Sequence, residues 1–393
     1  MRLSSSFAVF RADPAEQDLA RARWLTRDGK TDAAEREYRA ALASRPDMAA
    51  GWIELVELLR RDNRHQAALE VAMGAEAHFG PDAAMPLVLK GAALSELGRT
   101  REAVQALEAA LERDGNLALA WHELAYAAFK VGEFSRALLA LDRAFALEPH
   151  IDTLLLRGRI LREAGQYEAA EVAFDAAQQA TEHDIPKRDA EREGLTTRRA
   201  AALGGKRPAA FTMRERVFVE TGTAVIDAGA PDAGLTADLL AGCLAALPDL
   251  AFGAGWKPAV VASASGVDGV LAQAVAKALG ATTALIVAID PVDRPLIVTL
   301  ANDGNEEWTK QTKRLSRWSA GTTFALVQVP GAPDPADLAG AIRAVSADEV
   351  RSFAGAALAL PVSEPADSTE TARLVSNAQA PWHRRAASQE PAS

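Results

Sequence analysis

Between residues 14 and 183 apolar positions recur at spacings of three and four, the pattern of amphipathic helices with one face on a core. Short polar turns interrupt it at Gly29, Asn63, Gly98, Gly132 and Gly165, separated by 34, 35, 34 and 33 residues. Five residues after each marker stands an alanine: Ala34, Ala68, Ala103, Ala137 and Ala170. Twelve after each stands another: Ala41, Ala75, Ala110, Ala144 and Ala177. Between them, nine after the marker, come Tyr38, Ala72, Leu107, Leu141 and Phe174. Pro46, Pro81, Gly115 and Pro149 close the units. Gly and Asn tolerate the positive φ of a tight turn, and proline stops a helix. Small alanines let paired helices approach, and the residue between them fills the space alongside. A single hairpin cannot bury its own apolar face, so five such units stack and share a core. The pattern predicts an α-solenoid rather than a generic bundle.

The first helices add further marks. Trp52 and Trp121 are each followed three residues later by a leucine, Leu55 and Leu124, and Gly91 and Gly158 take the small-residue position. With the 34-residue period, these residues resemble the tetratricopeptide repeat family over residues 14 to 183. The second unit departs most, with Asn63 for glycine and Ala72 for the aromatic. The resemblance implies a scaffold that holds a partner polypeptide along a concave face lined by the first helix of each hairpin. Helical spacing then places Ile53, Glu57 and Arg60 in that groove, followed by Val88, Ala92 and Ser95. The fourth unit adds His122, Tyr126 and Phe129, and the fifth adds Leu155, Arg159 and Arg162. Tyr, Phe and Arg dominate binding hot spots, although the same spacing also suits packing of Tyr126 and Phe129 against a neighbouring repeat. Some relatives grip a carboxy-terminal peptide through recurring asparagines. Here Glu57, Ala92, Tyr126 and Arg159 stand at those positions, which argues against that clamp. Residues 14 to 184 hold 20 Lys/Arg against 29 Asp/Glu, so the array favours a basic partner segment.

Residues 185 to 207 carry seven Lys/Arg against three Asp/Glu. Their middle reads as a helix capping the last repeat, with Gly204-Gly205 and Pro208 as the boundary of a linker spanning 184 to 207. Beyond it, segments rich in β-branched residues alternate with helical ones, which predicts an α/β domain over 208 to 360 with a mostly parallel sheet. Strands are expected at Val217–Ile226, Ala259–Ala262, Thr283–Ile289, Leu296–Leu300, Thr322–Val329 and Phe353–Leu360. Helices are expected at Leu235–Leu247, Val267–Leu279, Asn305–Trp318 and Pro335–Val345. Residues 1 to 13 read as extended or disordered, and 361 to 393 as a disordered tail containing a short docking motif at 381–385.

Chemistry is thin in this second half. The loop Ser263 to Gly269 joins a strand to a helix, where amides can cradle an anion, but it lacks the glycine and lysine pattern of a phosphate loop. Asp268 would also repel a phosphate. Residues 259 to 280 weakly resemble the opening of phosphoribosyltransferase-like domains, yet the diphosphate loop is missing after Asp290 and Asp293. The six histidines show no metal-ligand spacing, and Cys243 reads as a buried small hydrophobe. Lys310, Lys313, Arg314 and Arg317 form a basic helix face between Trp308 and Trp318, read as a solvated surface. Two function classes remain. The leading one is a bacterial-style interaction scaffold without a cofactor, leaning away from catalysis. The other is a nucleotide- or phosphate-dependent transferase using Ser265, Gly266, Asp290 and Asp293. A net charge of −10 argues against nucleic acid as the partner. No apolar run of 18 residues is present, one cysteine cannot form an internal disulfide, and Met1 to Phe10 is too short for a secretory leader. The expected location is the cytoplasm.

Overall fold

The structure, a computed structural model, describes residues 13–227, 234–253, 258–265, 268–284, 289, 295–306, 308–311, 322–330, 332, 336–342, 350, 371 and 374. The chain divides into two units, Met1–Ile160 and Leu161–Ser393, and the division falls inside a helix.

The first unit is built of helix hairpins: α1 (Pro14–Arg27) with α2 (Thr31–Ser44), α3 (Ala49–Arg61) with α4 (His65–Phe79), α5 (Ala84–Glu96) with α6 (Thr100–Arg113), and α7 (Ala118–Lys130) with α8 (Phe134–Leu147). Helix α9 (Ile151–Glu163) begins in this unit. Every turn marker has positive φ, from 57° at Asn63 to 79° at Gly132 and Gly165. The residue after each marker donates its N–H to a carbonyl five residues back, as Lys30 does to Leu25 and Glu133 to Ala128 at 3.0 Å. These bonds satisfy carbonyls that the end of a helix leaves open, which is why Gly or Asn recurs at the marker. The repeated alanines are buried at the hairpin contacts, with Tyr38, Leu107 and Leu141 beside them. Trp52 and Trp121 each donate their indole N–H to the residue that closes the preceding unit, Pro46 at 2.8 Å and Gly115 at 2.9 Å. A Cβ at Gly91 would stand 2.5 Å from Leu107 Cγ, so that small residue sets how closely α5 meets α6.

The second unit holds α10 (Tyr167–Gln179) and α11 (Asp184–Ala201), which pack together. Arg162 reaches Glu193 of α11 at 2.6 Å. The Tyr167 hydroxyl donates to the Lys206 carbonyl, and Leu203 and Phe211 are buried on either side of Gly204-Gly205 in the same core as the sheet. The sheet comprises β1 (Ala224–Asp227), β2 (Val260–Ser263), β3 (Thr282–Thr283), β4 (Leu296–Asn302), β5 (Thr322–Gln328) and β6 (Leu338–Ile342). Their order is β1-β6-β5-β4-β2-β3, and every pairing is parallel. All seven residues of β4 are buried, as expected of a parallel strand covered on both faces. Helices α12 (Met213–Thr221), α13 (Ala237–Ala245), α14 (Leu247–Gly253) and α15 (Gly269–Leu279) connect and cover it.

Two expectations fail here. The strand expected at Val217–Ile226 is helix α12 followed by the short β1. Thr212 and Glu215 form a reciprocal capping box at its start, and Gly222 ends it at φ 84°. Burial at Glu215, Phe218 and Val219 follows helical spacing, overriding the β preference of the valines. The helix expected at Pro335–Val345 contains strand β6. Its alanines suit a helix, but Gly340 lies against the Leu326 carbonyl of β5 and the Cys243 side chain, leaving room only for small residues. Residues 285–288 of Thr283–Ile289, the end of Asn305–Trp318, Phe353–Leu360, nearly all of 1–13 and of the tail, and the 381–385 motif lie outside the described residues.

Candidate functional site

Alternate turns of α3, α5 and α7 bring one charged network together in the first unit. Helix α3 presents Glu57 and Arg60 three residues apart on one face, α7 presents Glu123 and Tyr126 in the same way, and α5 ends in Glu96. Arg60 Nη1 donates to Glu123 Oε1 at 2.9 Å. Its guanidinium also lies 3.5 Å from Glu57 and 3.7 Å from Glu96. The Tyr126 hydroxyl donates to Glu96 Oε2 at 3.2 Å, and Lys130 Nζ stands 5.6 Å from the centre of the tyrosine ring. Helix α5, in the hairpin between those of α3 and α7, carries the small buried residues Ala92 and Ser95 at the positions equivalent to Glu57 and Arg60.

Burial sets the electrostatics. It pushes the Glu123 carboxyl up from its usual range, while Arg60 pulls it back and the Glu57 and Glu96 charges reinforce the rise. Burial opposes the Arg60 charge too, but Glu123, Glu57 and Glu96 outweigh it and hold the guanidinium above its ordinary value. The Tyr126 phenol is pushed up to about 12 by burial and by the neighbouring Glu96 charge. Burial lowers His122, with Arg60 and His150 adding to the effect and Asp152 opposing it. Arg60 Nε is buried without an acceptor among the described residues, which costs about 1–3 kcal/mol for such a group. Arg61 Nε also donates to Glu57 Oε1 at 2.8 Å, so three carboxylates stand against two guanidinium groups and keep one negative charge in excess, which favours a further positive group over a negative one.

The other expected groove residues are dispersed. Glu57, Arg60, His122 and Tyr126 lie in or beside the network, with His122 Nδ1 3.4 Å from Thr153 Oγ1. Phe129 is half-buried, its ring 6.2 Å from that of Phe134, and Ile53 is half-buried against the core of the first two hairpins. Val88 and Ser95 are fully buried, Val88 in the core around Leu107 and Ser95 donating to the Gly91 carbonyl of its own helix. Leu155 is buried as well, so these three offer no surface to a partner. Arg159 is partly buried. Arg162 lies in the second unit, paired with Glu193 and 5.8 Å from the Phe174 ring. Glu96 and Glu123 were not among the expected residues. Glu123 had a readable signal, a carboxylate flanked by apolar residues within LALAWHELAYAAF, since charged side chains are rarely buried unless paired.

In the second unit the chain path reverses between β2 and β4, and open α/β sheets bind their ligands at the carboxyl ends of such strands. The chain's own Asp268 fills that place. Its carboxylate accepts from the Ser265 hydroxyl at 2.7 Å, the Ser265 amide at 3.2 Å, the Leu300 amide at 2.9 Å and the Thr299 hydroxyl at 3.3 Å. A phosphate there would face a buried carboxylate. Gly266, Asp290 and Asp293 lie outside the described residues. Trp308 is fully buried against Ala264, Ile297, Ala325 and Ala336, so it is core rather than a surface anchor. Cys243 is buried, its thiol donating to the Gly340 carbonyl at 3.3 Å. Among the described residues no group of His, Cys, Asp or Glu could hold a metal ion, and no helix is long and apolar enough to cross a membrane.

The hairpins of the first unit define an α-solenoid of stacked helix pairs. Two family models described as tetratricopeptide repeat match the chain, one over residues 19–84 and 122–185 and the other over 86–117. The amino-terminal region therefore carries tetratricopeptide repeats, a class that generally serves as protein-interaction scaffolding. These matches lend no support to a phosphoribosyltransferase-like second half. No curated protein sequence matches the chain. Among solved structures, a thermophilic TPR protein of Thermus thermophilus is similar at 18% identity and TM-score 0.42, over 48% of this chain and 98% of that one. MamA from Desulfovibrio magneticus is similar at 18% identity and TM-score 0.33, over 44% and 99%. Yeast Tom70 is similar at 16% identity and TM-score 0.38, over 47% of this chain and 40% of that one.

Proposed function

We propose that the repeat array, residues 14–183, is an interaction scaffold that takes a partner polypeptide with basic side chains along the face formed by its first helices. The α/β region over 208–360 is a second interaction or regulatory module without catalysis. The observation that carries this reading is the Glu57–Glu96–Glu123 cluster beside half-buried Tyr126, with half-buried Phe129 three residues further along the same helix. Three carboxylates against the guanidinium groups of Arg60 and Arg61 leave one negative charge that attracts an arginine or lysine, and the aromatic rings supply apolar contact area. The transferase reading gains no support from the described residues, among which the buried Asp268 carboxylate is bonded to Ser265, Thr299 and Leu300 and would repel a phosphate.

Selection of a random peptide library on the full-length protein tests the reading, with a Tyr126→Ala/Phe129→Ala variant as counter-target. Recovered peptides should be rich in Arg and Lys, bind the variant at least about tenfold more weakly, and weaken as salt rises. Peptides that bind parent and variant equally would remove this face from the account.

A further inference from the structure

In a stack of hairpins each unit touches its neighbours, so the separation between units two apart is set only through the unit between them. Arg60 and Glu123 depart from that rule. They lie 63 residues apart, on α3 of the second hairpin and α7 of the fourth, yet meet at 2.9 Å. The ion pairs Arg23–Glu54, Arg64–Glu35 and Arg136–Glu108 join neighbouring hairpins instead. We propose that the Arg60–Glu123 pair is a strap that fixes the spacing between the second and fourth hairpins, so that Arg60 positions the first-helix face rather than contacting a partner.

Three observations support the strap. Ala92 and Ser95, which take the places of Glu57 and Arg60 in the third hairpin, are small and buried on the intervening α5. Glu57 and Glu96 flank the same guanidinium, so one cation ties together elements of three successive hairpins. Both partners are largely shielded, with side chains 17% and 7% exposed, so water and salt compete poorly for them. The Arg136–Glu108 pair, 42% and 52% exposed, lacks that protection. The strap is independent of whether the face binds a polypeptide.

Pulsed electron–electron resonance on the full chain tests it. Spin labels are placed at Asp62→Cys and Val131→Cys, equivalent turn positions after α3 and α7, in a Cys243→Ala background. The parent should give one narrow distance distribution. Glu123→Gln, which keeps the side chain's shape, and Arg60→Met should each broaden it and shift its peak. The double variant should match the single ones, and Arg136→Met should leave the distribution at the parental position. Circular dichroism identifies folded variants, and Glu123→Gln decides the matter if Arg60→Met does not fold. A distribution in folded Glu123→Gln indistinguishable from the parent's would overturn the proposal, as would an equal change in Arg136→Met.

Discussion

Tyr126 holds its ring half-buried and its hydroxyl on a carboxylate, with a pKa of about 12. Burial also raises Tyr38 and Tyr167, and these three are all the tyrosines of the chain. An alkaline titration followed by tyrosinate absorbance should therefore show less than half of the tyrosine ionised at pH 10.0, the unperturbed value, while circular dichroism remains native. Tyr126→Phe should remove the last component to ionise. Because the folded pKa values lie above the unfolded ones, the stability from these phenols is complete below pH 10.0 and is lost as pH rises through the folded values. Half-ionisation at pH 10.0 in the native protein would contradict this. Little of this environment could be read from the sequence. Tyr126 stood out by residue type and spacing, but its partner Glu96 lies 30 residues away in the chain. Spacing along one helix says which face a side chain shares, and nothing about what an adjacent hairpin brings to it.

Strand β6 shows how an element can be misread when its neighbours decide its form. Leu338–Ile342 is small and alanine-rich, which favours a helix in isolation. In the sheet it pairs with β1 on one side and β5 on the other, and smallness serves close approach rather than helicity. A Cβ at Gly340 would stand 2.5 Å from the Leu326 carbonyl, a backbone atom that cannot rotate away. Gly340→Ala should destabilise the sheet by about 1–3 kcal/mol, read as faster hydrogen exchange across β4, β5 and β6 with the hairpins of the first unit unaffected. Unchanged protection in β5 would show that the strands adjust without cost. Elements with strong local punctuation were legible: α15 stops at Gly280, φ 66°, and β4 and β5 follow their runs of branched and apolar residues. Helix α12 was not. Its start depends on the Thr212–Glu215 exchange, a two-residue signal masked by Val217, Phe218 and Val219.

Across the molecule, legibility follows repetition. The five turn markers and ten alanines each test the same hypothesis again, so the hairpin array is readable from spacing alone. The parallel sheet has no such redundancy, and its strand order comes from long-range pairings such as Ala224 with Leu338. The network between α3, α5 and α7 is likewise non-local, and its balance of charge makes an asymmetric prediction. Arg60→Met leaves Glu96 and Glu123 without their cation, while Arg61 still pairs with Glu57 at 2.8 Å, and should cost about 3–5 kcal/mol. Glu123→Gln leaves Arg60 with two carboxylates and should cost clearly less. Chemical unfolding of both variants measures the difference, and equal losses would mean that the pair acts without the other two carboxylates.

Solenoids commonly lengthen or shorten by whole units, because each added hairpin needs only two compatible neighbours. A contact spanning from α3 to α7 limits that freedom here. An extra hairpin inserted after the second or third would carry Arg60 out of reach of Glu123 and leave that buried carboxylate without its cation. Deleting the third would press the two together in the wrong register. The strap therefore predicts that a unit inserted or deleted among the second, third and fourth hairpins costs more stability than one gained or lost at the ends of the array.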